Sequence, residues 1–210
     1  MESAFRETCP PDLKVIETFG AGSDGPAGWP PHHARLLVTC QRLGIDPDLA
    51  ALDAIPTLRF DGPSRVRLTI DQTGQVAITS APMAANPGSW IIAKAPVVLD
   101  ATNPWRQVKT THRAIYDDAR AALPAGVDEL IFINGNGHLA EGTITNVFVE
   151  VDGILRTPPV SDGALPGILR AKMIADNRAE AGYLTWDDLV QSPRIYVGNS
   201  LRGLIPARVI

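Results

Sequence analysis

The chain has 210 residues, 45% of them apolar, enough to bury one large core or two small ones without disulfide or metal staples. A formal charge of −4 and a pI near 5.5, with basic residues scattered along the chain, give no electrostatic footprint for nucleic acid. No apolar run approaches the ~20 residues needed to span a bilayer, no charged-then-apolar leader is read at the start, and Cys9 and Cys40 follow neither a metal-ligand spacing nor a disulfide framework, so a reducing, cytoplasmic setting is expected.

Residues 1–12 are polar and carry Pro10-Pro11, which predicts an irregular, loosely held start leading into a short strand at 13–18. Residues 20–28 (GAGSDGPAG) read as a flexible turn and not a phosphate loop, because no continuous apolar strand leads tightly into them and no GK[ST] follows. From 31 to 43, Leu36, Leu37, Cys40 and Leu43 recur at three- and four-residue spacing; prolines precede them and Gly44 follows. That pattern predicts an amphipathic helix bearing Arg35. Residues 65–71 and 75–80 alternate apolar and polar side chains around Gln72-Thr73-Gly74, an antiparallel hairpin. Residues 90–99 form a more continuous apolar strand. The following 100–107, with Pro104, break regularity and place a boundary between domains of 1–104 and 105–210.

The second half opens with Lys109 at the head of a helix running to about Leu123, then a strand at 129–134 and a turn at Gly135-Asn136-Gly137. A strand at 145–151, a tight Asp152-Gly153 turn and a strand at 154–157 make a hairpin. A helix over 167–181, a short helix near 186–190 and a strand at 194–197 complete the chain, which has no internal repeat and no low-complexity segment.

Only four of the 19 basic residues are lysines (Lys14, Lys94, Lys109 and Lys172), so candidates for lysine-dependent covalent chemistry are few. Lys109 stands where a Pro-interrupted connection gives way to a helix. At such a junction a lysine can point into a cleft, where desolvation favours the neutral amine that forms a Schiff base, although a lone lysine is far more often a solvated surface charge. Glu141 follows the Gly-Asn-Gly turn and precedes the apolar Val147-Phe148-Val149. An acid so placed can hold a protonated pyridine nitrogen, whereas alone it would more often be a turn residue. Leu165-Pro166-Gly167-Ile168 opens a helix whose first-turn N–H groups form an anion site, with Ser200 in the Gly198-Asn199-Ser200 turn as a hydroxyl donor; a plain helix start explains the first feature equally well. Arg35 can add balancing positive charge, though an arginine on an amphipathic helix is usually solvated or salt-bridged. A lysine, an acid, a helix amino terminus, a hydroxyl and an arginine together form the set that pyridoxal phosphate requires.

The order and wording of these motifs, above all EGTITNVF followed by TPPVSDGALPGILR, resemble the class IV (fold type IV) aminotransferase family, which includes branched-chain and D-amino-acid aminotransferases and 4-amino-4-deoxychorismate lyase. The likeness spans about residues 13–206. It implies Lys109, in VKTTHR, as the Schiff-base lysine and catalytic acid/base, and Glu141 as partner of the pyridine nitrogen. Arg35, in HHARL, falls at the phosphate-binding arginine, Ile168 and Leu169 at the phosphate-binding amides, and Ser200 at the hydroxyl donor. His112 and Tyr116, one and two turns beyond Lys109, are placed for ring or substrate contacts.

The resemblance also implies an α/β (α+β) architecture: a small N-terminal α/β domain, a larger, β-barrel-like C-terminal α/β domain, pyridoxal 5'-phosphate between them, and a homodimer whose partner loops help close the site. VIETF, a loop and HHARL come closest to the lyase-like branch. The expected activity is therefore that of 4-amino-4-deoxychorismate lyase, releasing pyruvate and 4-aminobenzoate from a small-molecule amino substrate. Amino-acid transamination is the alternative, and cofactor binding without turnover a further one. Relatives carry a further strand and a Gly-rich, aromatic segment before the residues matching 16–18, almost where this sequence begins, so substrate contacts from that region are expected to be missing or replaced.

Overall fold

The structure, a computed structural model, describes residues 2–6, 9–86 and 88–210. It forms two compact units: residues through Ala85 together with Val108–His112, and Asn86–Gln107 together with Arg113–Ile210. The division therefore falls at 85/86, with a short return, where the sequence suggests 104/105. The cause is strand pairing: Trp90–Lys94 joins the sheet of the second unit, and 109–111 pairs with the first strand of the first unit.

The first unit comprises α1 (Ser3–Arg6), β1 (Val15–Gly22), β2 (Gly25–Pro26), α2 (Trp29–Leu43), α3 (Leu49–Asp53), β3 (Ser64–Ile70) and β4 (Val76–Pro82). Its sheet has the order β2-β1-β3-β4 and is antiparallel throughout. Part of the glycine-rich stretch is thus strand, because β1 runs to Gly22 and reverses at once into β2. The expected hairpin is β3–β4, in register from Ser64↔Pro82 to Ile70↔Val76. Helix α2 carries prolines in its first turn and ends where the Gly44 N–H bonds the carbonyls of Cys40 and Gln41. It buries Leu36, Cys40 and Leu43, packing on β1. Burial also pushes the Cys40 thiol up to about 11, which leaves it an inert apolar group.

The expected irregular start at 1–12 falls partly on residues 1, 7 and 8, which lie outside the described residues. Elsewhere it is anchored. Phe5 is fully buried, the Arg42 guanidinium lies 5.2 Å over its ring, and the Glu2 N–H donates to the Arg42 carbonyl at 2.8 Å. The helix expected from Lys109 begins only at Ala114. Residues 109–111 are extended, with Ile16 N–H donating to the Lys109 carbonyl and Thr111 N–H to the Lys14 carbonyl, both at 2.9 Å. The β-branched Thr110 and Thr111 suit that backbone.

The second, larger unit comprises β5 (Trp90–Lys94), α4 (Ala114–Ala121), β6 (Glu129–Ile133), β7 (Leu139–Gly142), β8 (Asn146–Val151), β9 (Ile154–Thr157), α5 (Ile168–Ala175), β10 (Glu180–Ala181), α6 (Trp186–Gln191), β11 (Ile195–Asn199) and β12 (Gly203–Val209). Its eight-stranded sheet has the order β10-β9-β8-β11-β12-β5-β6-β7, parallel at β10/β9, β12/β5 and β5/β6 and antiparallel elsewhere. Strand β8 reads as a continuous apolar run because both its faces are covered. Val147 and Val149 enter one core with Ile131 and Val197, while Phe148 enters another with Met173, beside Leu169 of α5.

Helix α5 stops short of the expected 181. Asn177 takes φ 53, its N–H donates to the Ile174 carbonyl, and the Arg178 N–H reaches back to the Met173 carbonyl at 2.8 Å, a Schellman ending. The β8–β9 turn has positive φ at both Asp152 and Gly153, as its Asp-Gly sequence predicts. No helix among the described residues is long and apolar enough to cross a membrane.

Candidate functional site

Arg35 and Lys109 belong to the first unit; Glu141, Ile168, Leu169 and Ser200 belong to the second. In the first unit, β1 carries the organising residue. Glu17 shares the inward face of β1 with Val15, Phe19 and Ala21 and is 1% exposed. Arg35 Nε donates to its Oε1 at 2.8 Å and Nη2 to its Oε2 at 2.7 Å, a two-point fork, while His32 Nδ1 lies 2.6 Å from Oε2. Burial alone would raise the Glu17 carboxyl. The hydrogen bonds from His32 and Arg35, together with the Arg35 charge, outweigh it and hold the group below its usual range. Lys109 hangs from the neighbouring residue of β1 through the Ile16–Lys109 backbone bond, half-buried between Val108 and Thr110. His112 donates its N–H to Thr110 Oγ1 at 3.2 Å.

In the second unit, Glu141 follows the 135–137 turn and precedes β8, as the sequence suggests, but lies within a short strand of its own, β7. The β6–β7 register runs from Ile131↔Gly142 to Ile133↔Leu139, so three steps on β7 answer two on β6, and the irregularity falls at Ala140–Glu141. The Glu141 carboxylate is 6% exposed; its Oε1 accepts from the Tyr116 hydroxyl at 2.5 Å and its Oε2 from the Leu165 N–H at 2.9 Å. Burial, and then the Glu141 charge, push the Tyr116 hydroxyl far above its ordinary range, so it stays a donor. The guanidinium groups of Arg106 and Arg113 lie 5.0 and 5.4 Å from the Tyr116 ring centre. Tyr116, expected at the ring or substrate, is thus seen holding Glu141.

The same peptide that reaches Glu141 leads into α5. Leu165 gives its N–H to Glu141 and accepts Asn146 Nδ2 on its carbonyl at 3.1 Å, so the step before the helix is held at both of its polar groups. Gly167 caps α5 without a side-chain hydrogen bond, and the first-turn N–H groups of Ile168 and Leu169 follow. The Leu169 side chain lies against Gly198 at the end of β11; a Cβ on Gly198 would stand 2.7 Å from Leu169 Cδ2 and 2.4 Å from the Gly203 carbonyl oxygen, so only glycine fits. Ser200 is exposed in the turn that Asn199 Oδ1 closes by accepting from the Leu201 and Arg202 N–H groups.

Two buried carboxylates, Glu17 and Glu129, do not emerge from the motifs. Each occupies an inward position of a strand, Glu17 in phase with Val15 and Phe19, Glu129 in phase with Ile131. A charged side chain in the apolar phase of a strand is the signal that would have found them. No group of three or more His, Cys, Asp or Glu among the described residues could hold a metal ion.

A family model described as amino-transferase class IV matches residues 14–210. Among solved structures, the chain is similar to a "Putative amino-acid aminotransferase" from Mesorhizobium loti, with a TM-score of 0.87 and 34% identity over 95% of this chain and 100% of that one. Among curated relatives, it is 32% identical over 87 residues to a "Putative branched-chain-amino-acid aminotransferase" from Methanocaldococcus jannaschii, 39% of this chain and 30% of the relative. It is 28% identical over 148 residues to a "Putative aminodeoxychorismate lyase" from Schizosaccharomyces pombe, 66% of this chain and 64% of the relative. Both stretches span less than two thirds of the curated relative's own length. The mixed α/β architecture is that of the fold type IV structures. Matched by its model over nearly its whole length, the chain belongs to the class IV aminotransferase family, whose members depend on pyridoxal phosphate.

Proposed function

We propose that the chain acts on a small-molecule amino compound with pyridoxal phosphate as cofactor, Lys109 supplying the amine, Glu141 facing the ring nitrogen, and the Ile168 and Leu169 amides with Ser200 and Arg35 receiving the phosphate. The observation that carries this reading is the Leu165 peptide. Its N–H lies on Glu141, and the step from there to the Ile168 N–H can extend over no more than about 10 Å. A buried acid and a set of helix-start amides within that reach are compatible with the two ends of a phosphorylated pyridine.

When bound, the cofactor supplies an electron sink for the substrate carbon. Lys109 removes the proton from the carbon bearing the substrate nitrogen, and Glu141, its carboxylate held by Tyr116 and Leu165, favours a protonated ring nitrogen. Arg35 reaches its role with Nε and Nη2 already on Glu17, which orients the guanidinium.

The first reading is a lyase that releases pyruvate from 4-amino-4-deoxychorismate and leaves 4-aminobenzoate, a step of folate synthesis, as a cytoplasmic homodimer. The Schizosaccharomyces pombe relative, aligned over 66% of this chain, supports it. The second is amino-acid transamination, favoured by the Mesorhizobium loti structure, whose full length this chain covers. Purified protein given cofactor and 4-amino-4-deoxychorismate should release pyruvate; amino transfer to 2-oxoglutarate without pyruvate would replace the first reading by the second. Under either, Lys109→Ala abolishes turnover and the visible absorption of the loaded protein, and Glu141→Gln at saturating cofactor slows turnover by about 100-fold or more. A fully active Lys109→Ala protein would remove both readings.

A further inference from the structure

A carboxylate lies buried beneath the turn that follows Glu141. Glu129, the first residue of β6, is 0% exposed and accepts five hydrogen bonds. Its Oε1 takes the N–H of Leu130 at 3.1 Å, the N–H of Thr143 at 2.9 Å and the Thr143 hydroxyl at 2.5 Å. Its Oε2 takes the Ile144 N–H at 3.2 Å and the Thr145 hydroxyl at 3.0 Å. Four of these donors belong to the turn that joins β7 to β8. A buried carboxylate persists in such a place only when its lone pairs are filled, and here two N–H groups and two hydroxyls of one turn fill most of them.

The neighbouring residues are fitted to this arrangement. A Cβ on Gly142 would stand 2.9 Å from Glu129 Cδ and 2.4 Å from Thr145 Oγ1, so a side chain there would drive the turn off the carboxylate. Helix α4 and its N-cap close over the other side: Nη2 of the N-cap Arg113 donates to the Thr143 carbonyl at 2.8 Å and Arg120 Nη1 to Thr143 Oγ1 at 3.1 Å. Tyr116 and Arg120, four residues apart, share one face of that helix, so the face that holds the turn also supplies the hydroxyl on Glu141.

Glu141 lies within the β7 irregularity, and Gly142 follows it at once. A bulge re-aims the side chain it carries, and the segment that follows bounds the direction that side chain takes. That segment is the turn wrapped on Glu129. We propose that Glu129 is the positioning residue for Glu141: by holding the 142–145 turn it sets the direction of the Glu141 carboxylate, and with it the preference for a basic ring nitrogen in the bound cofactor. The proposal rests on the reading of Glu141 as the ring-nitrogen partner.

The test compares the dissociation constants of pyridoxal phosphate and its 1-deaza analogue, in which a C–H replaces the ring nitrogen, followed by absorbance without turnover. Both ligands keep the aldehyde and the phosphate, so their ratio isolates the nitrogen. Glu141→Gln should reduce the wild-type preference by about tenfold, the loss of one charged hydrogen bond. Glu129→Gln, which turns an NH2 group toward groups that are themselves donors, should reduce it by about threefold to tenfold with affinity for the analogue unchanged. A wild-type ratio in Glu129→Gln beside a collapsed ratio in Glu141→Gln would overturn the positioning role and leave the reading of Glu141 standing. A wild-type ratio in Glu141→Gln would overturn both. Equal weakening of the two ligands in Glu129→Gln would show a merely structural residue. Should Glu129→Gln fail to fold, Thr145→Val, which deletes a single hydroxyl donor, must still lower the ratio, and an unchanged ratio there overturns the proposal.

Discussion

Glu17 and Glu129 are both buried glutamates on inward strand positions, yet their charges are met differently. Glu17 faces a guanidinium fork and a histidine, so its charge is answered by a cation from α2. Glu129 faces backbone N–H and hydroxyl groups, and Arg120 Nη1 stands off at 3.8 Å. The first arrangement ties two elements together by charge. The second spreads one charge over a turn and makes the shape of that turn depend on it.

The comparison breaks most sharply at Arg35. Arg35→Ala leaves the Glu17 carboxylate buried beside His32 without its fork and should cost about 3 kcal/mol of unfolding free energy in chemical denaturation, the scale for breaking a buried ion pair. Loss of less than about 1 kcal/mol would show that the pair behaves as a surface one. The acid limb of stability reports the same pair. The folded Glu17 carboxyl is held below its ordinary value of 4.5, so its contribution is complete above that pH and is lost as the pH falls toward the folded value. Glu17→Gln should flatten that limb, and an unchanged slope would assign the acid sensitivity elsewhere.

Glu129→Gln should cost less, about 2 kcal/mol, because no full charge is stranded and the loss is one of donors facing a donor. Thr145→Val is the mildest change, about 1 kcal/mol for one hydroxyl on the carboxylate. If Thr145→Val proved as costly as Arg35→Ala, the distinction between the two glutamates would collapse.

What the sequence shows best is what local chemistry decides. The end of α2 at Gly44, the β3–β4 hairpin and the Asp152-Gly153 turn are set by residues at those positions. What it hides is set from a distance. The extended backbone at Lys109 depends on β1, more than ninety residues earlier, and β12 was obscured because Pro206 interrupts its pattern yet pairs with Tyr196. The ending of α5 was local but rests on Asn177 in a left-handed conformation, which asparagine tolerates and most residues avoid. Among the candidate site residues, the motif singled out Glu141 and the α5 amides. It could not show that Tyr116 and Leu165 hold that acid, because both contacts cross the fold.

On the proposed reading, the Leu165 peptide has a consequence for ligand length. With its N–H on Glu141 and its carbonyl on Asn146, the short segment to Ile168 works as a ruler whose zero mark is the acid. One residue inserted after Leu165 would lengthen the scale by up to about 3.5 Å, and one removed would shorten it as much. A compound read in the proposed way would carry its acid-seeking atom and its anionic group at a fixed spacing, which leaves the rest of its structure free to vary.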